Sequence, residues 1–314
     1  MLARAVFWSI LKGLLPLAIL GGSYLLLREQ LHALDIDAVH HALDIIPASR
    51  LGVALAATIG SYASLGVLEW SLFKAAEVRL PYRSVLLSSF VSNSVSGCIG
   101  LTLFTGAFLR LRMYNRLSVA ARDTLYVAFA LAPMVVISGA LVSGVAILFA
   151  LNSAQLAYSV GQFGSIGVIS LVCFALALAM PAAVFIMMVP GKELSFKNLR
   201  IVIPTRRRRC VLIAAGVCDW LMGSCALLFL TGLAASTYPL LLVQFVVGWL
   251  VGVGAGVPAG AGPLDTTVLR IFADHANLAG LVAGLLMFRV IYFALPALFA
   301  LTLLVMSELR ARVS

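Results

Sequence analysis

Charged residues are scarce in this chain, and their scarcity excludes a soluble globular protein. Asp, Glu, Lys and Arg make up 11% of the 314 residues, whereas 62% of the residues are hydrophobic. Soluble domains typically carry about 25% charged residues, and no soluble fold could cover so much apolar surface. The composition therefore predicts an all-α, polytopic membrane protein with a single membrane domain over residues 1–314.

Residues and motifs that support catalysis or metal binding are also few. His40 and His41 lie in the first predicted extramembrane loop without enough neighbouring ligands for a metal site. The five cysteines lie in or beside apolar stretches without a CxxC spacing, which is typical of packing residues. HExxH, GxSxG and Walker lysine motifs are missing, and no strand–helix unit surrounds the GxGxG at Gly252–Gly256. We therefore expect no metal, no cofactor and no enzymatic activity.

Long apolar stretches predict the membrane spans, each of which needs about 20 residues. A charged amphipathic stretch, LHALDIDAVHHALDII at residues 31–46, separates the first two spans and predicts a helix on the membrane surface. Two further apolar stretches, 84–109 and 239–272, are interrupted by glycine, so that each either crosses the membrane or turns back. The six uninterrupted stretches are roughly 6–27, 51–73, 125–150, 162–189, 210–234 and 278–305.

The net charge of +10 indicates orientation and contact with anionic lipid rather than nucleic-acid binding. If both interrupted stretches turn back and the N-terminus is cytoplasmic, 17 of the 22 Lys and Arg residues lie on the cytoplasmic side and three lie outside. If both cross, the best orientation gives 14 against 6. The positive-inside rule thus favours six transmembrane helices plus two re-entrant broken hairpins, with both termini cytoplasmic and the first helix retained.

The second interrupted stretch, FVVGWLVGVGAGVPAGAGPLDTTVLR at residues 245–270, begins as a membrane helix that cannot continue. Each interior glycine weakens a helix by about 1 kcal/mol and each proline by about 3 kcal/mol. The freed backbone groups are tolerated in a membrane only where protein buries them or where they line a wet cavity. Gly262 as N-cap, Pro263 at the first helical position and Asp265 in the first turn predict that a helix restarts there.

An internal repeat relates the two halves of the chain, roughly 1–155 and 156–314. Glu69 precedes a tryptophan in the second span, and Asp219 does the same 150 residues later in the fifth. Each pair precedes a glycine-broken element that ends in Leu-Arg, at Arg110 and Arg270. The second copy starts from the opposite face of the membrane, so the repeat is inverted. Inverted repeats with paired broken helices place a substrate site where the two breaks meet.

Ionisable residues inside apolar spans are costly, and they mark function by default. Glu69 and Asp219 each serve either an inter-helix hydrogen bond or a substrate. Asp265 is either a first-turn helix acid or the partner of Arg289 or of a cationic headgroup. Arg289, near mid-depth of the last span, needs a carboxylate or a phosphate as its partner. Arg110, Arg112 and Arg116 follow the first break and predict a basic cavity mouth that suits phosphate.

Three segments, FTGAFLRLRMY, VPAGAGPLDTTVL and FRVIYFALPAL, resemble the transmembrane family of lysylphosphatidylglycerol synthases in order and spacing. That family includes the flippase half of the multiple peptide resistance factor and stand-alone inner-membrane proteins. The resemblance implies a bacterial inner-membrane protein that moves phospholipid, typically aminoacylated phosphatidylglycerol, from the inner to the outer leaflet. Pro258 matches the family's proline–glycine break. The resemblance also implies substrate-binding roles for further residues that match the family's motifs, which are Arg110, Arg112, Tyr114, Gly260, Gly262, Arg289 and Tyr292.

These observations together predict a phospholipid translocase for anionic or aminoacylated phosphatidylglycerol-type lipid. We expect Arg110, Arg112 and Arg289 to bind the lipid phosphate, and Glu69, Asp219 or Asp265 to meet an ammonium group. The alternative is a membrane partner that binds lipid for a separate lipid or glycan synthase without transporting it. The sequence ends at Ser314 without a soluble aminoacyl-transfer domain, so we expect that this chain does not make the lipid.

Overall fold

The structure is a computed structural model that describes residues 24–25, 35–150, 180–181, 183–187, 193–196, 199–202, 204–272 and 277–313. Two of the six predicted spans, 6–27 and 162–189, lie mostly outside these residues. The predicted surface helix is present as α1, Ile36–Asp44, and Asp35 caps it by accepting a hydrogen bond of 2.9 Å from the backbone N–H of Asp37.

Long apolar helices dominate the described residues. Helices α2 (Ala48–Ala75), α5 (Ala121–Ala150) and α6 (Arg206–Thr231) coincide with predicted spans, and so does the continuous helical segment Leu278–Met306. A fifth segment, Ala235–Gly254, is also long and apolar enough to cross a membrane, although the sequence assigned it to the second broken element. Within the described part of the chain the prediction of a multi-pass helical membrane protein is confirmed.

A short β-hairpin departs from the all-α prediction. Strand β1, Glu193–Phe196, pairs antiparallel with β2, Leu199–Val202, and Leu194 lies opposite Ile201. The sequence predicted a loop in this region, before α6. The β-branched residues Ile201 and Val202 favour extended backbone, but four-residue strands are too short to stand out from sequence pattern alone.

The first glycine-broken element is a helical hairpin, formed by α3 (Tyr82–Ile99) and α4 (Thr102–Asn115). Gly100 and Leu101 separate the two helices, and both have positive φ values, 85° and 49°. Arg110 of α4 donates a hydrogen bond of 2.9 Å to the side-chain oxygen of Asn93 in α3. In one straight helix these residues would lie about 25 Å apart. The chain therefore reverses direction at Gly100.

The second broken element is also a helical hairpin. Helix α7 (Tyr238–Gly254) is followed by a 3₁₀ turn at Pro258–Gly260 and then by α8 (Pro263–Phe272), which starts at the predicted proline. The hydroxyl of Thr267 in α8 donates to the backbone oxygen of Gln244 in α7 at 3.2 Å, which requires the two helices to run side by side.

The last helical segment is interrupted in its middle. Helix α9 (Leu278–Phe288) passes through a π-helical turn, Arg289–Ala294, into α10 (Leu295–Val313). Single π-turns inside α-helices occur frequently at functional sites because they reposition the side chains on them. Here the turn carries two predicted site residues, Arg289 and Tyr292.

Helices α2 and α6, which carry Glu69 and Asp219, pack against each other at the centre of the described structure. Trp220 of α6 lies in the largest core cluster of the described residues. The centroid of its ring lies 5.9 Å from the centroid of the Phe245 ring in α7. The indole N–H of Trp220 donates to the backbone oxygen of Val135 in α5 at 3.0 Å. This packing places both carboxylates close to the two hairpins.

Candidate functional site

The two hairpins touch each other at their breaks. A Cβ atom placed on Gly100 would lie 2.5 Å from the backbone oxygen of Gly256 and 3.1 Å from the backbone nitrogen of Pro258. A Cβ atom on Gly256 would in turn lie 2.7 Å from the side chain of Leu101. Real Cβ atoms do not approach other atoms this closely, and Gly100 and Gly256 also have positive φ values, which favour glycine. Glycine is therefore required at Gly100, where backbone atoms occupy the position next to a Cβ, and it is favoured at Gly256 by the positive φ.

A cavity of about 580 Å³ lies beside this contact, within the size range of small-ligand sites. Gly97 and Leu101 line it from the first hairpin, and residues 253–257, 259 and 260 line it from the second. Most of its wall is apolar or aromatic, including Phe245 and Trp249 of α7. The polar residues in its lining are Tyr62, Asn93, Ser96, Thr102, Arg110, Asp219 and Tyr292, together with the indole of Trp220.

Glu69 and Arg110 form a buried ion pair at one side of the cavity. The guanidinium of Arg110 donates two hydrogen bonds to Glu69 Oε2, at 3.1 Å from Nε and 3.0 Å from an Nη atom. The hydroxyl of Tyr114 donates to Glu69 Oε1 at 2.7 Å. Glu69 and Tyr114 are fully buried, and Arg110 is 5% exposed. The charge of Arg110 is thus neutralised by Glu69 and shielded from any ligand outside the protein.

Asp265 and Arg289 form a second ion pair, which is more accessible. An Nη atom of Arg289 lies 2.6 Å from Asp265 Oδ2, and the two side chains are 22% and 20% exposed. Asp265 Oδ2 also accepts a hydrogen bond of 2.9 Å from the backbone N–H of Gly262. Asp265 therefore caps the restarted helix and also neutralises Arg289. Neither residue is among those that line the cavity.

Asp219 differs from Glu69 and Asp265 because its hydrogen-bond partner among the described residues is a hydroxyl group. Ser61 of α2 donates a hydrogen bond to Asp219 Oδ1, and Ser61 Oγ lies 2.6 Å from the hydroxyl of Tyr292. The hydroxyl of Tyr62 donates a hydrogen bond of 3.1 Å to the backbone oxygen of Tyr292. The rings of Tyr62 and Tyr292 are tilted relative to each other, and their centroids lie 5.9 Å apart. Within the described residues no arginine or lysine pairs with Asp219.

The structure distributes the predicted site residues over these three clusters. Glu69, Arg110 and Tyr114 form the first cluster, Asp219 and Tyr292 belong to another, and Gly262, Asp265 and Arg289 form the third. Gly260 lines the cavity, and Arg112 is exposed on α4. Arg110 and Arg289 each contact a different carboxylate, so the described structure does not join them in one phosphate clamp.

The neutral residues Ser61, Tyr62 and Asn93 belong to these clusters and were not predicted from the sequence. Asn93 holds Arg110 in place, and Ser61 joins Asp219 to Tyr292. A hydroxyl or amide group inside an apolar span could have indicated them, because such groups commonly form hydrogen bonds between helices in membranes. That signal is shared by many serines in this chain and identifies no single one.

Comparisons with known proteins place the chain among membrane proteins without assigning a family. No protein-family model matches it. The inner membrane protein YbhN of Escherichia coli (strain K12) is 25% identical over 122 residues, which are 38% of this chain and 38% of YbhN. The uncharacterized protein slr0712 of Synechocystis sp. is 25% identical over 296 residues, which are 92% of this chain and 90% of slr0712. Together with its apolar helices, these similarities identify a multi-pass membrane protein.

Proposed function

We propose that this protein is a phospholipid translocase of a bacterial inner membrane, and that the two helix breaks enclose its substrate site. The observation that carries this proposal is the cavity at the contact between Gly100 and Gly256. Broken helices that meet inside a membrane are typical of transporter substrate sites. The resemblance to the lysylphosphatidylglycerol synthase family supports a lipid as the substrate.

We infer that the two helical hairpins are re-entrant and accompany six transmembrane helices. In each hairpin the second helix returns along the first, as the hydrogen bonds of Arg110 to Asn93 and of Thr267 to Gln244 require. In this arrangement α7 enters the membrane and α8 leads back to the same side, although α7 with its preceding turn is long enough to cross. The distribution of Lys and Arg supports this arrangement over eight crossings.

The border of the cavity supports a lipid rather than a water-soluble solute. Leu101, Leu103 and Phe104 line the cavity and are 54%, 47% and 71% exposed. In a membrane protein such an apolar surface faces acyl chains. A lipid headgroup entering beside these residues would keep its acyl chains in the bilayer throughout. A small polar solute would gain nothing from an apolar opening of this kind.

Arg289 lies outside the lining of the cavity, and it is the arginine most available to the phosphate of a lipid whose headgroup enters the cavity. Its side chain is 22% exposed and has one carboxylate partner, Asp265. A phosphate would replace or share that partner, since guanidinium groups bind two oxygens at once. Arg110 is already committed to Glu69, and Tyr114 supports that pair, so we assign both residues to the architecture of the site. Arg112, exposed on α4, remains a candidate for the initial contact with an anionic lipid.

The proposal is tested by filling the cavity. Gly254 lines the cavity, and a Cβ atom on it meets no atom within 4 Å. Gly254→Trp should therefore be accommodated and should occupy the headgroup space. Gly52→Trp is the matched control, because Gly52 in α2 also has open space around it but lies away from the cavity.

The readout is dithionite quenching of a fluorescent phosphatidylglycerol in proteoliposomes, which reports how much lipid changes leaflet. We expect translocation by the natural protein and by Gly52→Trp, and loss of at least about tenfold in Gly254→Trp, equivalent to a barrier increase of about 1.4 kcal/mol. If the natural protein moved no phospholipid faster than protein-free vesicles, the proposal would be wrong. Retention of labelled lipid without movement would favour a lipid-binding partner of a separate synthase.

A further inference from the structure

Among the described residues, three carboxylates lie within the apolar stretches 51–73, 210–234 and 239–272 around the cavity, and one of them lacks a basic partner. Glu69 is paired with Arg110 at 3.0 Å, and Asp265 is paired with Arg289 at 2.6 Å. Asp219 has only the hydroxyl of Ser61 as a hydrogen-bond partner among the described residues. A carboxylate without a counter-ion inside a membrane is costly and marks an ion or proton pathway by default. Asp219 also lines the cavity.

The hydrogen bonds at Asp219 form a directed chain. Because Ser61 donates its single hydrogen to Asp219, the contact of 2.6 Å between Ser61 Oγ and the Tyr292 hydroxyl requires Tyr292 to donate to Ser61. If Asp219 takes up a proton, its new O–H donates to Ser61, Ser61 then donates to the oxygen of Tyr292, and the Tyr292 O–H turns away from Ser61. The chain reverses without movement of any heavier atom. The cluster can therefore hold either protonation state of Asp219 with its hydroxyl partners in place.

Among the described residues, Asp219 is the carboxylate that lines the cavity, so its proton exchanges with the cavity itself. Among the described residues that line the cavity, the titratable side chains are Tyr62, Arg110, Asp219 and Tyr292. Arg110 is held by Glu69, and Cys98 of α3 lies near Tyr62. The neighbouring helices α5 and α7 present apolar and aromatic side chains to the cavity, namely Leu131, Val135, Phe245, Trp249 and Leu250.

We propose that Asp219 is a proton-coupling site: it binds a proton from water in the cavity and releases it on the other side of the membrane during lipid translocation. This inference rests on the proposed translocase function and adds its driving force. Proton binding converts the carboxylate to a neutral carboxyl group. This removes the charge that no described basic residue compensates, and it lowers the cost of closing the cavity to water. Ser61 and Tyr292 are positioning residues that hold both states of Asp219.

A proton fits this cluster better than a metal cation does. Hard cations such as Ca²⁺ take 6–8 oxygen ligands, whereas the cluster offers the oxygens of Asp219, Ser61 and Tyr292. Within the described chain no group of three or more His, Cys, Asp or Glu residues is placed to hold a metal ion. The cluster thus has enough hydroxyl groups to accompany a proton and too few oxygen ligands to coordinate such a cation.

The experiment compares lipid translocation in proteoliposomes with and without a pH gradient of one unit, at a membrane potential clamped to zero. The readout is the ratio of the two rates. One pH unit is a tenfold difference in proton activity, so we expect a ratio of up to about tenfold in the natural protein, abolished by a protonophore. Asp219→Asn, which cannot titrate, should reduce the ratio to about one. Ser61→Ala and Tyr292→Phe should lower it.

Ser224→Ala is the matched control for Ser61→Ala. Ser224 is also a fully buried serine in contact with a tyrosine hydroxyl, that of Tyr238 at 3.0 Å, but it does not line the cavity. We expect it to keep the full ratio. Should Asp219→Asn fail to fold, proton uptake by the natural protein on addition of phosphatidylglycerol, reported by a pH-sensitive dye, would test the same site against Ser61→Ala and Ser224→Ala.

Each remaining outcome overturns the inference in a recognisable way. Translocation by the natural protein that ignores the pH gradient, or that follows a sodium gradient instead, would remove proton coupling and leave the translocase function intact. A full response to the gradient in Asp219→Asn would move coupling to another residue. Loss in Asp219→Asn confined to ammonium-bearing lipids, without a change in the gradient ratio, would make Asp219 a headgroup ligand. Absence of translocation in the natural protein would contradict the proposed function itself.

Discussion

Glu69 accepts two hydrogen bonds from Arg110 across 41 residues of sequence, and this buried pair joins α2 to the first hairpin. The residue related to Glu69 by the predicted internal repeat is Asp219, which pairs with Ser61 instead of an arginine. The two carboxylates that the predicted repeat relates thus have different partners. In the first half the carboxylate holds a hairpin in place, and in the second half it faces the cavity.

The ion pair between Glu69 and Arg110 leads to a prediction about stability. Glu69→Met leaves the buried Arg110 without a counter-ion, which should destabilise the protein by about 3–5 kcal/mol. The double variant Glu69→Met with Arg110→Met removes both charges and should recover most of this loss. Thermal unfolding of the detergent-solubilised protein measures the difference. If the double variant were no more stable than Glu69→Met, the pair would not be the source of the effect.

The contact between the two breaks leads to a second prediction. Gly100→Ala places a Cβ atom 2.5 Å from the backbone oxygen of Gly256 and forces alanine into a φ of 85°. We expect a loss of about 1–3 kcal/mol in stability, and a fall in translocation because the breaks must separate. Gly52→Ala, which meets no atom within 4 Å, is the control and should leave both unchanged. If Gly100→Ala were as stable and as active as the natural protein, the close contact between the two breaks would be wrong.

Arg289 and Asp265 are expected to respond differently to substitution. Arg289→Ala removes the proposed phosphate ligand and should lower translocation by at least about tenfold, or about 1.4 kcal/mol. Asp265→Asn leaves the arginine charged and releases it from its carboxylate, so binding of an anionic lipid should become tighter. Titration with phosphatidylglycerol in detergent and the dithionite assay measure the two effects.

Arg270→Ala is the control for Arg289→Ala, because it removes an arginine that is exposed at the end of α8. Its translocation rate should equal that of the natural protein. If Arg289→Ala, Asp265→Asn and Arg270→Ala all translocated lipid at the same rate, Arg289 would be excluded from the transport mechanism.

Membrane topology provides a fourth prediction. With six spans and two re-entrant hairpins, cysteines introduced at Arg116 and Arg122 should react with an impermeant thiol reagent only from the cytoplasmic side. A cysteine at Arg270 should react only from the outside. The natural cysteines need replacement first, since Cys210 and Cys218 are exposed. Labelling of Arg116→Cys from outside intact cells would show that the first hairpin crosses the membrane.

The positions of the helix breaks could be predicted from sequence, whereas the pairing of side chains could not. Glycine and proline act on the local backbone, so the restart of a helix at Pro263 could be predicted from a few neighbouring residues. The choice between Asp265 and a phosphate as partner of Arg289 depends on how distant helices pack. Sequence spacing alone contains no such information.

Ser61 shows why the cluster around Asp219 escaped prediction. Serines in apolar helices commonly donate to the backbone oxygen four residues earlier, as Ser64 does to Gly60 and Ser94 does to Phe90. Nothing in the sequence separates Ser61 from these. Its role depends on the close packing of α2 against α6, which becomes visible only in three dimensions.

The most direct test of the account is an electron cryomicroscopy structure of the protein in nanodiscs that contain phosphatidylglycerol. The account predicts headgroup density inside the cavity beside Gly254 and Gly97, with acyl chains leaving past Leu103 and Phe104. Lipid density confined to the outer surface, with the helix breaks apart and the cavity closed by side chains, would contradict it.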